Sequence, residues 1–149
     1  MAISVTGPAG EIFVDDGGSG GLVVLFVHSF AGDARHWRAQ LQHVRLRRRA
    51  IAIDLRGHGR SDAPASGDYS VPALAEDIAA VTDALGLKRF VLVGHSMGGA
   101  AATAYAGKHP DRLAGLVLAG TPGRAAHEQA QQIMGSLKAD YDKVMAGYW

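Results

Sequence analysis

Ser96 is the residue best placed to do chemistry. It lies in Phe90-Val-Leu-Val-Gly-His-Ser-Met-Gly-Gly99, where Gly94-His95-Ser96-Met97-Gly98 has the spacing G-x-S-x-G between a predicted strand and a predicted helix. A serine becomes a usable nucleophile when a sharp strand-to-helix turn lifts its hydroxyl clear of the sheet. Small residues at 94 and 98 let neighbouring backbone approach without a Cβ clash. The N-terminus of the following helix brings free N–H groups and the positive end of its dipole to the place where an oxyanion would develop. The same five residues also fit a plain glycine-rich turn, so the functional reading rests on the strand and helix that flank them.

Such a turn must be held by a sheet, and the chain alternates short apolar runs with helical patterns, as a mostly parallel sheet covered by helices requires. Glu11–Val14 and the Asp-Asp-Gly-Gly-Ser-Gly-Gly stretch after it predict early strands and a tight turn. Leu22–Val27, Ala50–Ile53, Phe90–Val93 and Leu113–Ala119 read as strands. Asp33 is placed to cap a helix with Trp37, Leu41 and Val44 on one face. Ser70 is placed to cap another, with Leu74, Ile78, Val81 and Leu85 on its buried stripe and Gly86 at its end. Met97–Lys108 is a helix stopped by Pro110, and His127–Tyr148 has helical spacing of Met134, Leu137, Tyr141, Val144 and Tyr148.

Composition narrows the classes. The 149 residues are 48% hydrophobic and 19% charged, which excludes a disordered tail. Fifteen Lys and Arg against 14 Asp and Glu leave a net charge of +1, with no global pull toward nucleic acid or an anionic membrane. The absence of cysteine excludes a disulfide scaffold, a Cys-ligated zinc site and a thiol nucleophile. Met1–Ser4 has no basic lead into an apolar stretch, and the longest apolar run, Leu22–Val27, is far short of the roughly 20 residues of a membrane helix. The expectation is a cytoplasmic protein with no membrane partner. Gly17-Gly-Ser-Gly-Gly21 lacks the third glycine of a dinucleotide fingerprint and precedes a strand. Asp54 and His58 are too thin a set for a metal, and Arg45, Arg47, Arg48 and Arg49, without interleaved aromatics, read as a solvated turn.

Three motifs in order carry a resemblance: His28-Ser-Phe-Ala-Gly-Asp33 after one strand, Asp54-Leu-Arg-Gly-His-Gly-Arg-Ser-Asp62 after the next, and the turn at Ser96. Up to about Pro122 the chain resembles the N-terminal part of an α/β-hydrolase. The resemblance implies an α/β fold with a mostly parallel sheet flanked by helices, here stopping before the last strands. It divides the chain into residues 1–122 of the core and 123–149 at the start of a lid. It implies Ser96 as catalytic nucleophile, the backbone N–H groups of Phe30 and Met97 as oxyanion hole, and Gly94 and Gly98 as the residues that shape the turn. Ser29 stands where a glycine usually follows the histidine. Relatives that cleave carbon–halogen bonds or epoxides are expected to have Asp at the turn, so Ser96 implies acyl transfer from a small ester-type substrate, with no cofactor and no metal.

A serine nucleophile needs a base and a carboxylate to orient it, in the chain order Ser, Asp or Glu, His. After Ser96 only His109 and His127 remain. The intervening helix puts His109 ~18 Å from Ser96. His127 opens the terminal helix, Asp140 and Asp142 lie on it, and Gly120-Thr121-Pro122 occupies the place where some relatives carry the acid. His28 belongs to the oxyanion motif, and His95 points away. The expectation is a chain that stops inside its fold, nearly inert alone, and self-associating through the exposed edge of Leu113–Ala119. A non-catalytic, hydrolase-like binding module or inactive fragment is the alternative, and completion of the triad in trans a third reading.

Overall fold

The computed structural model describes residues 1–121 together with 123, 139, 140 and 143. Six strands, β1 (Ala2–Gly7), β2 (Gly10–Gly17), β3 (Val23–Val27), β4 (Ala50–Ile53), β5 (Phe90–His95) and β6 (Leu113–Ala119), form one sheet in the order β1-β2-β4-β3-β5-β6. β1 and β2 are antiparallel to each other, and β2 is antiparallel to β4. β4, β3, β5 and β6 run parallel. Among residues 1–121, three α-helices cover the sheet: α1 (Arg38–Val44), entered through the 3-10 turn Ala34–Trp37, α2 (Val71–Ala84) and α3 (Met97–Lys108).

Side-chain alternation along the strands builds two cores. Leu25 and Val27 of β3, Ile51 and Ile53 of β4, and Phe90 and Leu92 of β5 meet Leu74, Ile78 and Val81 of α2 and Ala101, Ala102 and Tyr105 of α3. Phe26, Ala50, Ala52 and Val93 face the other way, against Ala34 and Leu41. The run Ala-Ile-Ala-Ile of β4 thus puts large side chains toward two helices and small ones toward α1, and all four are fully buried.

Ser70 caps α2 by accepting from the Ala73 N–H at 3.4 Å, and the helix ends at Gly86 with φ 62°. Its buried stripe includes a carboxylate that the hydrophobic pattern passed over. Asp77 is fully buried and takes the Arg56 guanidinium on both oxygens at 2.6–3.1 Å, and the Arg56 N–H as well. The expected helix over His127–Tyr148 lies outside the described residues apart from 139, 140 and 143. Among the described residues no helix is long and apolar enough to cross a membrane.

β6 hydrogen-bonds to β5 on one side and has no strand on its other side among the described residues. Leu116, Val117 and Leu118 are 37%, 49% and 45% exposed, so the edge is apolar as well as unpaired. The 149-residue chain is therefore expected to self-associate with rising concentration in sedimentation velocity, and Val117→Lys to shift it toward monomer. A wild-type chain that stays monomeric across the range would contradict this.

Candidate active site

The three sequence motifs meet because they follow the carboxyl ends of three adjacent parallel strands. His28–Asp33 leaves β3, Asp54–Asp62 leaves β4, and Ser96 leaves β5. The chain order reverses about β3, which has β4 on one side and β5 on the other. A crevice at such a reversal is where open α/β sheets bind ligands.

Ser96 is half-buried at the junction of β5 and α3, with φ 49° and ψ −112°. A non-glycine residue at positive φ is held there by its surroundings. Its N–H donates to the Ala119 carbonyl at 3.0 Å and its carbonyl accepts from Ala100 N–H at 3.0 Å, so β6 and α3 fix both sides of the turn. Among the described residues its Oγ makes no hydrogen bond. Met97 opens α3, whose first N–H groups have no intrahelical acceptor.

Gly94 and Gly98 act through space. A Cβ at Gly94 would fall 2.6 Å from Gly99 Cα. One at Gly98 would fall 2.6 Å from the Val27 carbonyl oxygen and closer still to that of His28. Gly98 therefore seats the first turn of α3 directly on the end of β3 and the loop that carries Phe30. Gly99 has the same role against Thr121, whose Cβ lies 2.8 Å from where its own would be. Gly99 was legible as the second of two consecutive glycines, but only Thr121 explains it.

The loop at 28–33 is pinned by buried polar groups. His28 is fully buried; its Nε2 accepts from Leu55 N–H at 2.9 Å, which leaves Nδ1 to donate to the Ser29 carbonyl at 2.8 Å. Desolvation holds its pKa down to about 4, so the ring is neutral at pH 7 and both nitrogens are engaged. Ser29 keeps an ordinary backbone, and the positive φ of the loop falls on Ala31 at 57°. Phe30 is exposed, with its ring edge-on to His58 at 6.3 Å.

Asp54 is fully buried and accepts from Ala34 N–H at 2.6 Å and Arg60 N–H at 2.9 Å, while Ser61 Oγ donates to its carbonyl at 2.5 Å. It is a fastener between two loops, and among the described residues no His, Cys, Asp or Glu cluster could hold a metal ion. Asp33 caps the 3-10 turn through Arg35 N–H at 2.8 Å, and the Arg35 guanidinium bonded to it draws its carboxyl down to about 2. The basic turn is only partly solvated: Arg45 bonds Asp15 and the Ala50 carbonyl, and Arg49 bonds Asp16.

The histidines divide by position. His95 is exposed, its ring edge-on to Trp37 at 6.4 Å, and His109 stacks on Tyr105 at the far end of α3. His58 uses Nδ1 on the Arg56 carbonyl. His127 and Asp142 lie outside the described residues, and Asp140 accepts from Lys143 N–H.

Two outcomes follow. Between pH 6.5 and about 4 the unfolded chain binds a proton at residue 28 that the folded chain refuses, so stability falls as pH drops through this window by ~3 kcal/mol. Urea midpoints should fall over that range, and less so in His28→Gln, which keeps an acceptor for Leu55; a wild-type midpoint flat from 6.5 to 4 would refute it. Gly98→Ala should destabilise by about 1–3 kcal/mol. Gly107→Ala, in the same helix with open space around it, should stabilise by ~0.5–1 kcal/mol. Equal effects of the two in urea denaturation would contradict the packing role of Gly98.

Comparison with known proteins agrees with this arrangement. A sequence model described as the alpha/beta hydrolase fold matches residues 23–148. Epoxide hydrolase 4 of Mus musculus is 36% identical over 111 residues, 74% of this chain and 31% of its own length. A thermophilic esterase from Thermogutta terrifontis is 37% identical with TM-score 0.77, over 94% of this chain and 54% of that one. Est816, described as an N-acyl homoserine lactone degrading enzyme, is 31% identical with TM-score 0.87, over 97% of this chain and 55% of that one. The chain thus spans about a third of such a curated relative and about half of the solved structures. With its sheet order, its turn at Ser96 and these matches, the chain belongs to the α/β-hydrolase family.

Proposed function

We propose that Ser96 is the nucleophile of a serine hydrolase that cleaves a small ester-type substrate (an ester, thioester or lactone) through an acyl-enzyme. The observation that carries this is the backbone of Ser96: a non-glycine residue at φ 49° between β5 and α3, with an Oγ that none of the described residues engages. Backbone strain of this kind is maintained where it places a reacting atom. Oγ attacks the acyl carbon, the carbonyl electron pair moves to oxygen, and the oxyanion takes hydrogen bonds from the N–H groups of Phe30 and Met97. The intermediate collapses as the oxyanion pair reforms the carbonyl and the bond to the leaving oxygen or sulfur breaks, that atom taking the Oγ proton through a base, and water then hydrolyses the acyl-serine.

Neither His28, His95 nor His109 is placed to serve as that base. His28 has no free nitrogen, His95 turns to Trp37, and His109 sits at the other end of α3. Relatives named as epoxide hydrolase, esterase and lactone-degrading enzyme span more than one chemistry, and Ser96 favours the acyl-transfer side of that range.

Without base and acid, an acyl-transfer site loses on the order of 10⁶ in turnover. The 149-residue chain should therefore hydrolyse p-nitrophenyl acetate far below ordinary hydrolase rates. Added imidazole, a diffusible base, should raise a component of that hydrolysis which Ser96→Ala lacks. Fast turnover without imidazole would refute the missing base. Identical rates for chain and Ser96→Ala at every imidazole concentration would refute the nucleophile and favour a non-catalytic binding module.

A further inference from the structure

A concave site whose lining does not include Ser96 is formed by residues of α1 and the 3-10 turn before it, Asp15 of β2, and Arg60 of the loop after β4. It is a cleft of about 400 Å³, within the size range of small-molecule sites, and its polar lining is Arg35, Arg38, Arg45, Arg60, Gln42 and Asp15. Four guanidinium groups around one carboxylate is an unusual balance in a chain whose total charge is +1. The source is local: residues 35–49 contain six arginines and no Asp or Glu.

The lining cations differ in how far they are satisfied. Arg45 is committed to Asp15 and to the Ala50 carbonyl, and Arg35 to Asp33. Asp15 is in turn held by Arg45 at 3.0 Å, with the N-terminal amine 3.8 Å away, so it does not neutralise the rest. Arg60 lies with its guanidinium 3.2 Å from the centre of the Phe13 ring and has only a long 3.4 Å side-chain contact to Asp54, through Nε. Among the described residues its two Nη groups have no hydrogen-bond partner. Among the described residues Arg38 and Gln42 have neither ion pair nor side-chain hydrogen bond.

We propose that this cleft binds the phosphate group of a small phosphorylated molecule. A guanidinium presents paired N–H donors that match two oxygens of a phosphate, and Arg38 and Arg60 both have such donors unspent. A phosphomonoester carries about −1.5 to −2 at pH 7, which two cations balance better than the single charge of a carboxylate would. Stacking on Phe13 fixes the plane of Arg60 in advance, so less side-chain freedom is lost on binding. Gln42 supplies a neutral amide for the rest of the ligand. This site stands on its own geometry and does not rest on the chemistry proposed for Ser96.

The test is an NMR titration of the 149-residue chain, observing arginine Nε–H signals at constant ionic strength. Inorganic phosphate, pyrophosphate and glycerol 1-phosphate are the probes, with acetate as the carboxylate control. Saturable shifts at Arg38 and Arg60 are expected, with glycerol 1-phosphate binding at least as tightly as inorganic phosphate and acetate at least tenfold more weakly. Arg38→Gln should weaken binding about tenfold. Arg38→Lys, which keeps the charge and loses the fork, should weaken it several-fold; both replace an exposed side chain with no partner among the described residues, so circular dichroism should be unchanged. Arg47→Gln and Arg48→Gln, in the basic turn outside the cleft, should change affinity less than twofold. Shifts that never saturate, equal losses from the 47 and 48 variants, equal binding of acetate, or exclusion of the monoester while inorganic phosphate binds would each overturn the proposal.

Discussion

The arrangement at Ser96 depends on how closely α3 can approach β3. At Gly98 helix backbone rests against the carbonyl groups of Val27 and His28, and a single Cβ there would force them apart. Gly94 and Gly99 make the same allowance below and behind it, toward α3 itself and toward Thr121. Because the first turn of the helix is seated on the end of β3, the turn at Ser96 and the loop bearing Phe30 share one piece of scaffold. The strain at Ser96 is then a consequence of geometry: the chain must leave β5 and enter α3 within one residue, with its N–H still bonded to β6.

A second layer of polar contacts holds the loops to that scaffold. Asp54 gathers the N–H groups of Ala34 and Arg60, and His28 accepts from Leu55, so backbone donors at the strand ends find buried acceptors. Each of these side chains is fully buried, and His28 stays neutral because burial opposes its charge. On the other side Arg56 is clamped by Asp77 of α2. A buried pair like this adds little net stability, but removing one member leaves an unpaired charge that typically costs about 3–5 kcal/mol.

Much of this was legible in the sequence where a local rule decides structure. Met97–Lys108 and Leu113–Ala119 were found to the residue, because the glycines, Pro110 and the apolar run mark their ends. The cap at Ser70 and the stop at Gly86 follow from side-chain and backbone chemistry within a few residues. Partners distant in sequence were not legible. Asp77 sits at helical spacing between Leu74 and Ile78, on the stripe expected to be apolar, and only Arg56, 21 residues away, explains it. Nothing local separates Arg45, bonded to Asp15 of β2, from Arg47, which has no such partner among the described residues. Ser29, where the family pattern has glycine, proves undemanding because the unusual backbone is two residues later, at Ala31.

The proposed nucleophile is the half-buried Ser96, whose Oγ is engaged by none of the described residues. The most direct measurement is peptide mass spectrometry after incubation of the chain with a fluorophosphonate at pH 9, where hydroxide partly replaces the base. The geometry predicts one phosphonyl adduct, on the peptide containing Ser96, and none on any other serine. Adducts scattered over exposed serines, with Ser96 unmodified, would contradict it.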